Sequence, residues 1–363
     1  MPEHVPSSTA ARPHGLRGRM AHAVETLTPG YFALVMASGI ISVGMHLQGF
    51  NVLAHVLLVV CAAAFVVLLA LNLWRILRFR EAMIADFMAP ERAFGFFTIV
   101  AGTNVLGVRL GVQGWHWATG ILLACSCLLW LVLGYVVPWT AVLSRRERPV
   151  VKAANGTWFI WVVASQSVAV AAATLEPVAE PVRRELALLA VGSWSVGVFL
   201  YVAAAIFVSL RMMTYDLRPE DLTPPYWVAM GAVAITVLAG ARIVEMADAP
   251  MVTVTRDLVA GLAVVFWSFA TWLIPVLVAA GWWRHWHWKV PLRYEATLWS
   301  IIFPLGMYAV AGIYLGEADR LPVVAGIGAV ELWVAFAAFL LVLVTMVRHV
   351  WCTVFRTAPV PTN

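Results

Sequence analysis

The stretch of sequence that decides the fold is residues 31–38, YFALVMAS, because its pattern occurs five times along the chain. Two large residues are followed by an apolar residue at the fifth position and by small residues at the seventh and eighth. The copies start 65, 62, 68 and 73 residues apart, and they are Tyr31-Phe32-x-x-Val35-x-Ala37-Ser38, Phe96-Phe97-x-x-Val100-x-Gly102-Thr103, Trp158-Phe159-x-x-Val162-x-Ala164-Ser165, Tyr226-Trp227-x-x-Met230-x-Ala232-Val233 and Trp299-Ser300-x-x-Phe303-x-Leu305-Gly306. The last two copies are degenerate. A repeat of this period corresponds to one helical hairpin, so the sequence predicts five consecutive hairpins.

The composition of the chain indicates that it folds in lipid. Apolar residues make up 62% of the 363 residues and charged residues 12%, against roughly 45–50% and about 25% in soluble proteins. So few charges cannot cover a soluble surface, which excludes soluble, disulfide-stapled, disordered and nucleic-acid-binding classes. The net charge of +5 comes from short loops rather than from one face, so we expect no nucleic-acid partner.

Ten segments are long enough to cross a lipid bilayer, which takes about 20 apolar residues. They are residues 29–50, 52–78, 91–111, 116–142, 154–175, 183–213, 225–245, 257–284, 295–316 and 323–356. The predicted fold is an all-α integral membrane protein with ten transmembrane helices, called spans 1 to 10 below. Residues 1–28 are predicted to form an N-terminal tail, residues 29–356 the transmembrane domain, and residues 357–363 a C-terminal tail.

The distribution of Lys and Arg predicts the orientation in the membrane. The two tails and the loops that follow even-numbered spans hold 18 of the 24 Lys and Arg residues. These segments should face the cytoplasm. Both termini are therefore predicted to be cytoplasmic in a multi-pass protein of the cell membrane.

Glycine content separates the odd-numbered from the even-numbered spans. The odd-numbered spans contain 14 glycines in 108 residues and the even-numbered spans 8 in 147. Because glycine is costly in a helix unless backbones approach closely, the odd-numbered spans are predicted to surround a central pore with pseudo-fivefold symmetry. Small polar residues occur on these spans as Ser38, Ser42, Thr103, Asn104, Ser165, Gln166, Ser167 and Thr236. Two roles fit them, pore lining and hydrogen bonding between helices.

The predicted pore lining follows the apolar and small positions of the repeat. It consists of Val35, Ser38, Val100, Thr103, Val162, Ser165, Met230 and Gly306. The centres of the odd-numbered spans contain no ionisable residue. Such a pore attracts anions only through helix dipoles and weak donors, favours ions that lose water easily, and lacks the acidic ring that cation selectivity needs.

Span 9 departs from the other copies at Phe303 and Pro304. Proline deprives the carbonyl of Ser300 of its helical donor and favours a kink beside the large ring. The ring of Phe303 is a candidate gate that closes the lumen by excluding water. The alternative is that Phe303 is an ordinary core residue.

Glu331 is the one carboxylate well inside an even-numbered span. A buried, unpaired carboxylate is costly in a membrane. Arg242, near the end of span 7, is therefore predicted to form a buried ion pair with Glu331. The alternative is proton coupling through Glu331 or His46.

No cofactor, metal or catalytic motif is present in the sequence. The four cysteines lack disulfide or zinc spacing. His285 and His287 lie in an aromatic and cationic cluster, residues 282–289, that is typical of a helix end at the lipid headgroups. We expect no cofactor and no metal, and the spans contain none of the motifs of an intramembrane enzyme.

Three stretches resemble one known family. They are residues 29–39, PGYFALVMASG, residues 156–167, GTWFIWVVASQS, and residues 299–306, WSIIFPLG. They are similar to the tellurite-resistance/dicarboxylate transporter family, which includes the plant guard-cell slow anion channels, fungal malate permeases and sulfite exporters. The resemblance implies five hairpins around a pore, a homotrimer with one pore in each protomer, and a phenylalanine gate on the ninth helix, which corresponds to Phe303.

Two functions are consistent with these observations. The first is the passage of small inorganic or organic anions through a weak-field pore gated by Phe303, as a channel or channel-like permease. The second is proton-coupled secondary transport of C4-dicarboxylate, sulfite or tellurite oxyanions.

Overall fold

The computed structural model describes residues 15–355 except 145–148, 248 and 319. Every regular element in this part of the chain is a helix. The all-α prediction is confirmed. Most of the predicted tails, residues 1–14 and 357–363, lie outside the described residues. Within the rest of the N-terminal tail a helix spans Leu16–Glu25, which the sequence did not predict.

Within the described residues, ten helices are long and apolar enough to cross a membrane, as predicted. Spans 1 to 10 have the bounds Pro29–Leu47, Asn51–Arg78, Pro90–Val112, His116–Leu143, Gly156–Val178, Glu180–Thr214, Pro224–Val244, Pro250–His287, Ala296–Ala318 and Pro322–Phe355. Span 8 starts seven residues earlier than predicted, at Pro250, because proline is well suited to the first turn of a helix.

Contacts between the spans form an inner ring and an outer layer. Each odd-numbered span packs against the even-numbered span that follows it, and the odd-numbered spans pack in the order 1, 3, 5, 7 and 9, with span 9 against span 1. Between 78% and 89% of the most apolar window of each odd-numbered span is buried, against 17% to 22% for the even-numbered spans. The odd-numbered spans are therefore the inner helices and the even-numbered spans form the outer layer that faces lipid. The pseudo-fivefold symmetry stays a prediction.

The repeat has a common local geometry at the start of every inner helix. Each inner helix contains a 3₁₀ turn at its copy of the motif, before its α-helix continues. These turns are Pro29–Phe32, Phe94–Phe96, Gly156–Trp158, Pro224–Trp227 and Ala296–Leu298. A 3₁₀ turn winds more tightly than an α-helix. All five inner helices thus begin alike, which supports the repeat seen in the sequence.

A buried cluster of charges attaches the N-terminal helix to the loop after span 2. Arg75 Nη2 lies 2.7 Å from Asp86 Oδ2, and Arg92 Nε lies 2.7 Å from Asp86 Oδ1. Arg75 Nε also donates to the carbonyl of Glu25 at 3.1 Å. The Arg75 side chain is 2% exposed. The carboxylate of Asp86 and the carbonyl of Glu25, at the end of the Leu16–Glu25 helix, together offset the cost of burying this guanidinium.

Spans 9 and 10 approach so closely that only glycine fits between them. A Cβ atom added to Gly328 would lie 2.5 Å from the carbonyl oxygen of Ala309, and one added to Gly316 would lie 2.6 Å from the Cβ of Ala325. Close approach of backbones is the usual way membrane helices gain packing energy. One glycine on each helix of this hairpin, Gly316 on span 9 and Gly328 on span 10, therefore serves its packing.

We predict that Gly328→Ala lowers the free energy of unfolding by about 1–3 kcal/mol, because the added methyl group overpacks this contact. The control is Gly326→Ala in the same helix, where an added Cβ meets no atom within 4 Å. The control should be neutral or stabilising by up to about 1 kcal/mol, through helix propensity alone. Thermal unfolding of both variants in the same detergent measures the difference. Equal effects of the two substitutions would contradict the close packing of spans 9 and 10.

Candidate functional site

A small cavity lies at the centre of the ring of inner helices. Its volume is about 20 Å³, which is room for about one water molecule. All five inner helices contribute to its lining, and no outer helix does. The lining side chains are Ile40 and Val43 of span 1, Asn104, Val105, Val108 and Val112 of span 3, Ser167, Val170 and Thr174 of span 5, Ile235, Leu238 and Arg242 of span 7, and Met307 and Tyr314 of span 9.

The cavity occupies the C-terminal half of the inner helices. Its first lining residue in each span lies eight or nine positions after the first residue of that span's repeat copy. The five residues are Ile40, Asn104, Ser167, Ile235 and Met307. The repeat therefore sets one common level at which the cavity begins.

Hydrogen bonds hold the polar residues at this level in place. Asn104 Nδ2 donates to Ser167 Oγ at 2.9 Å, and Ser167 Oγ donates to the carbonyl of Ala164 at 2.7 Å. The hydroxyl of Ser126, in span 4, donates to Asn104 Oδ1 at 2.5 Å. Both serine protons are thereby committed, while an amide has two N–H donors and Asn104 uses only one here. The amide of Asn104 can therefore donate one hydrogen bond into the cavity.

Arg242 places a cation at the other end of the cavity. Its Nη1 lies 3.1 Å from Glu245 Oε2, and its guanidinium carbon lies 5.3 Å from the ring centre of Tyr314. The Arg242 side chain keeps 23% of its surface exposed. The expectation of a pore without basic residues is therefore corrected: one arginine lines the cavity, partly neutralised by a neighbouring carboxylate.

The predicted ion pair between Arg242 and Glu331 is wrong. Arg242 is paired with Glu245, one turn away on the same helix. Glu331 is half-buried on span 10 and does not line the cavity. A sequence gives the depth of two residues in a membrane but not the directions of their side chains, so similar depth did not show that Arg242 and Glu331 meet. The three-residue spacing of Arg242 and Glu245 did offer a local partner.

The eight predicted pore-lining residues are buried, but none of them lines the cavity. Trp130 Nε1, from span 4, donates to Ser165 Oγ at 2.8 Å. Val35 packs with Cys61 of span 2, whose thiol donates to the Val35 carbonyl at 3.4 Å. Ser38 Oγ donates to the carbonyl of Leu34 at 2.8 Å. Ser165 therefore holds neighbouring helices together, the second role that the sequence left open.

The other predicted positions also lie before the cavity begins. Thr103 donates its hydroxyl proton to the carbonyl of Ile99 at 2.7 Å. A Cβ added to Gly306 would lie 3.0 Å from both Ile40 and Ile41 of span 1. Val100, Val162 and Met230 have no exposed surface. The repeat motif thus marks packing positions of the inner helices, and the cavity begins one or two residues after the last position of the motif.

Phe303 shares a helix face with residues that line the cavity. It is 1% exposed and lies four residues before Met307, and residues four apart in a helix lie on the same face. Tyr314, seven residues after Met307, continues that face. Phe303 therefore lies one helical turn before Met307, the first lining residue of span 9, and on the same helix face.

A buried layer occupies the same level in the other inner helices. The residues four positions before the start of the cavity are Met36, Val100, Val163, Gly231 and Phe303. All five are buried. Gly231 has no side chain, and a Cβ added there would lie 2.8 Å from Pro304 Cγ. Pro304 therefore packs directly against span 7, which brings span 9 close to span 7 at the level of Phe303.

Hydrogen bonds also fix the start of span 9 against span 1. The hydroxyls of Tyr31 and Tyr294 lie 2.7 Å apart, and Trp299 Nε1 donates to the Tyr294 hydroxyl at 3.3 Å. Burial raises the pKa of Tyr294 above its ordinary value, so the phenol stays protonated at neutral pH. This chain positions the helix that carries Phe303.

Sequence reasoning missed the apolar lining residues and two polar ones, Thr174 and Tyr314, and did not single out Asn104 and Ser167 from the other small polar groups. A signal for Tyr314 was present. Continuing the helical stripe from Phe303 by intervals of four and seven residues leads to Met307 and Tyr314.

Ten apolar spans around a cavity with polar groups define a membrane transport protein. The family model described as SLAC1, voltage-dependent anion channel, matches residues 26–347. The chain belongs to this family, as the resemblance predicted.

Curated relatives agree with this assignment. Two uncharacterized transporters of Methanocaldococcus jannaschii are 23% and 22% identical to this chain over 339 and 341 residues, which cover 90% and 92% of it and 94% and 97% of those proteins. An uncharacterized membrane protein of Mycobacterium tuberculosis is 61% identical over 158 residues, which cover 44% of this chain and 80% of that protein.

We predict different consequences when alanine replaces each of two serines that lie two residues apart in span 5. Ser165→Ala removes the acceptor of Trp130 and should lower the free energy of unfolding by about 1 kcal/mol without changing anion selectivity. Ser167→Ala removes the acceptor of Asn104 at the cavity and should change the relative permeability of anions. Thermal unfolding and anion flux, measured on the same liposome preparations, separate the two effects. If Ser165→Ala changed the anion selectivity and Ser167→Ala did not, the result would favour the pore lining predicted from the sequence, which includes Ser165.

Proposed function

We propose that small anions cross the membrane through the lumen inside the five inner helices, and that Phe303 closes this lumen. The observation that carries the proposal is the central cavity, which all five inner helices line and which begins one turn after Phe303. Membership of an anion channel family supports the choice of anions over cations.

The chemistry of the lining supports weak binding of an anion. Its polar side chains are Asn104, Ser167, Thr174, Tyr314 and Arg242, without any carboxylate or histidine. The positive charge of Arg242 is balanced by Glu245 at 3.1 Å. An anion therefore meets few strong donors along the path, and the ions that pass most easily should be those with a low cost of dehydration.

Phe303 suits the role of gate because of its position and surroundings. A layer of buried apolar side chains at one level excludes water, and an ion without water meets a high barrier there. Phe303 has the largest side chain of that layer, and Gly231 in the same layer has none. Rotation of this one ring out of the layer would open it without movement of the helices.

A channel-like path agrees better with the lining than proton-coupled transport does. Coupling needs a titratable group that contacts the pathway. Glu331, the carboxylate considered for that role, lies on an outer helix and away from the cavity. Proton-coupled transport of dicarboxylate, sulfite or tellurite is therefore the outcome that the flux experiment below must exclude.

The oligomeric state and the orientation in the membrane are also part of the proposed function. We propose a homotrimer with one pathway in each protomer, supported by the resemblance to the family. The excess of Lys and Arg in the loops after the even-numbered spans supports cytoplasmic termini in the cell membrane.

Phe303→Ala tests the pathway and the gate together. Purified protein in liposomes should show an anion conductance at least about tenfold above that of the unmodified protein, since even about 1.4 kcal/mol off the barrier gives this factor. The control is Phe339→Ala. Phe339 is equally buried, at 1% exposed, but belongs to span 10 and packs on Trp299. This control should lose stability and gain no conductance.

The same liposomes distinguish the alternatives. Nitrate and other easily dehydrated anions should carry more current than chloride in Phe303→Ala, without a proton gradient. Equal conductance of Phe303→Ala and Phe339→Ala would contradict the role of Phe303 as the gate. Uptake against a concentration gradient that requires a pH gradient, with no current in either variant, would replace the channel by a proton-coupled transporter.

A further inference from the structure

A second and larger cavity opens on the outer surface between spans 6 and 8. Its volume is about 520 Å³, and it shares no lining residue with the central cavity. Its walls are largely apolar, and its back is formed by the first residues of spans 7 and 9. At its deep end the rings of Tyr201 and Phe269 meet edge to face, with centres 6.5 Å apart. This cavity is called the outer cleft below.

The outer cleft has the depth of one lipid leaflet. On span 8 its lining extends from Phe269 to Arg284, a rise of about 22 Å along a helix. Half of the hydrocarbon core is about 15 Å thick. The cleft therefore reaches from the headgroup level to the middle of the membrane. Trp282 and Trp286, which are 59% and 75% exposed, mark that headgroup level beside Arg284.

Arg284 is a buried cation without a counter-charge. It is 9% exposed, its Nη1 donates to the carbonyl of Leu222 at 2.5 Å, and its Nε is buried without any hydrogen-bond partner. Among the residues that the structure describes, no carboxylate forms an ion pair with it. A buried, unpaired charge is costly, so a guanidinium in this state indicates that an anion completes the site.

The other charged groups at the mouth of the cleft leave it positive. Arg293 is exposed there, and Glu295 accepts a hydrogen bond from Thr297 at 3.2 Å. His285 Nδ1 lies 2.8 Å from the carbonyl of Val290. Among the lining residues, two arginines thus face one carboxylate, and beside them Arg211 and Asp221 form an ion pair at 3.2 Å that adds no net charge. An anionic group would be attracted to this mouth, while the apolar walls below it would hold hydrocarbon.

We propose that the outer cleft binds one anionic phospholipid, with the lipid phosphate on Arg284 and one acyl chain along span 8 at Leu273, Val276 and Leu277. Three observations converge on this occupant. The cleft has the depth of one leaflet, the unpaired guanidinium lies at headgroup level, and the walls between them are apolar. A free anion would satisfy the guanidinium but would leave the apolar walls unfilled.

Lipid titration of the full-length protein tests the proposal. Delipidated protein is titrated with phosphatidylglycerol or phosphatidylcholine and observed by native mass spectrometry. One phosphatidylglycerol per protomer should bind in preference to phosphatidylcholine, and Arg284→Gln should weaken it at least about tenfold, as expected for a lost charge-assisted contact. Arg348→Gln, an exposed arginine at the end of span 10, is the control and should bind like the unmodified protein.

A second pair of variants tests the apolar part of the site without changing any charge. Gly281 lines the cleft, and a Cβ added there meets no atom within 4 Å; the same is true of Gly261, which lies in the same helix outside the cleft. Gly281→Leu should fill the cleft and reduce phosphatidylglycerol binding, whereas Gly261→Leu should not. Both variants should fold, since the Cβ atom has room at either position.

Three results would overturn the proposal. The first is equal binding of the two lipids by the unmodified protein and by Arg284→Gln. The second is complete displacement of phosphatidylglycerol by millimolar inorganic phosphate, which would show a simple anion site. The third is a loss of oligomers in Gly281→Leu with unchanged lipid binding, which would show that a second copy of the chain covers the cleft. Anion conductance need not be measured, so failure of the proposed pathway leaves this test intact.

Discussion

The constraint on which this structure depends is the close approach of the inner helices in lipid. Membrane helices gain little from hydrophobic burial against one another, so they associate through packing and hydrogen bonds. Small residues make that packing possible here, as the contacts of Gly231 with Pro304 and of Gly306 with Ile40 show. Once span 9 packs against span 1, the ring is closed and a space at its centre is unavoidable.

The closed ring explains how the polar residues are distributed. Where the inner helices meet outer helices, hydroxyl and amide groups satisfy one another, as in the bond from Trp130 to Ser165. Where the inner helices face the centre, a few donors remain free, such as one N–H of Asn104. The difference between a packing serine and a lining serine is therefore a difference of helix face, and two residues along span 5 are enough to change it.

Much of the fold could be predicted from the sequence because it depends on features that can be read along the chain. Apolar length indicates the ten spans, glycine content separates inner from outer helices, and the spacing of the motif indicates the hairpins. Phe303 was identified because it breaks the repeat, and it lies on the stripe that faces the cavity.

The parts that could not be predicted depend on the direction of side chains. The repeat predicted that Val35 and Ser165 line the pore, but both lie before the cavity begins, and they contact span 2 and span 4 instead. The pairing of Arg242 with Glu331 failed for the same reason. The outer cleft has no signal of its own in the sequence, since its residues come from five spans and two loops that only the fold brings together.

The central claim, that the space inside the inner helices is the path of the anion, can be tested most directly by locating an anion. Crystals of Phe303→Ala soaked in bromide, with diffraction collected at the bromine absorption edge, would show the ion by its anomalous signal. The account predicts a peak inside the ring, between Asn104 and Arg242. Bromide found only outside the ring, between inner and outer helices, would contradict it.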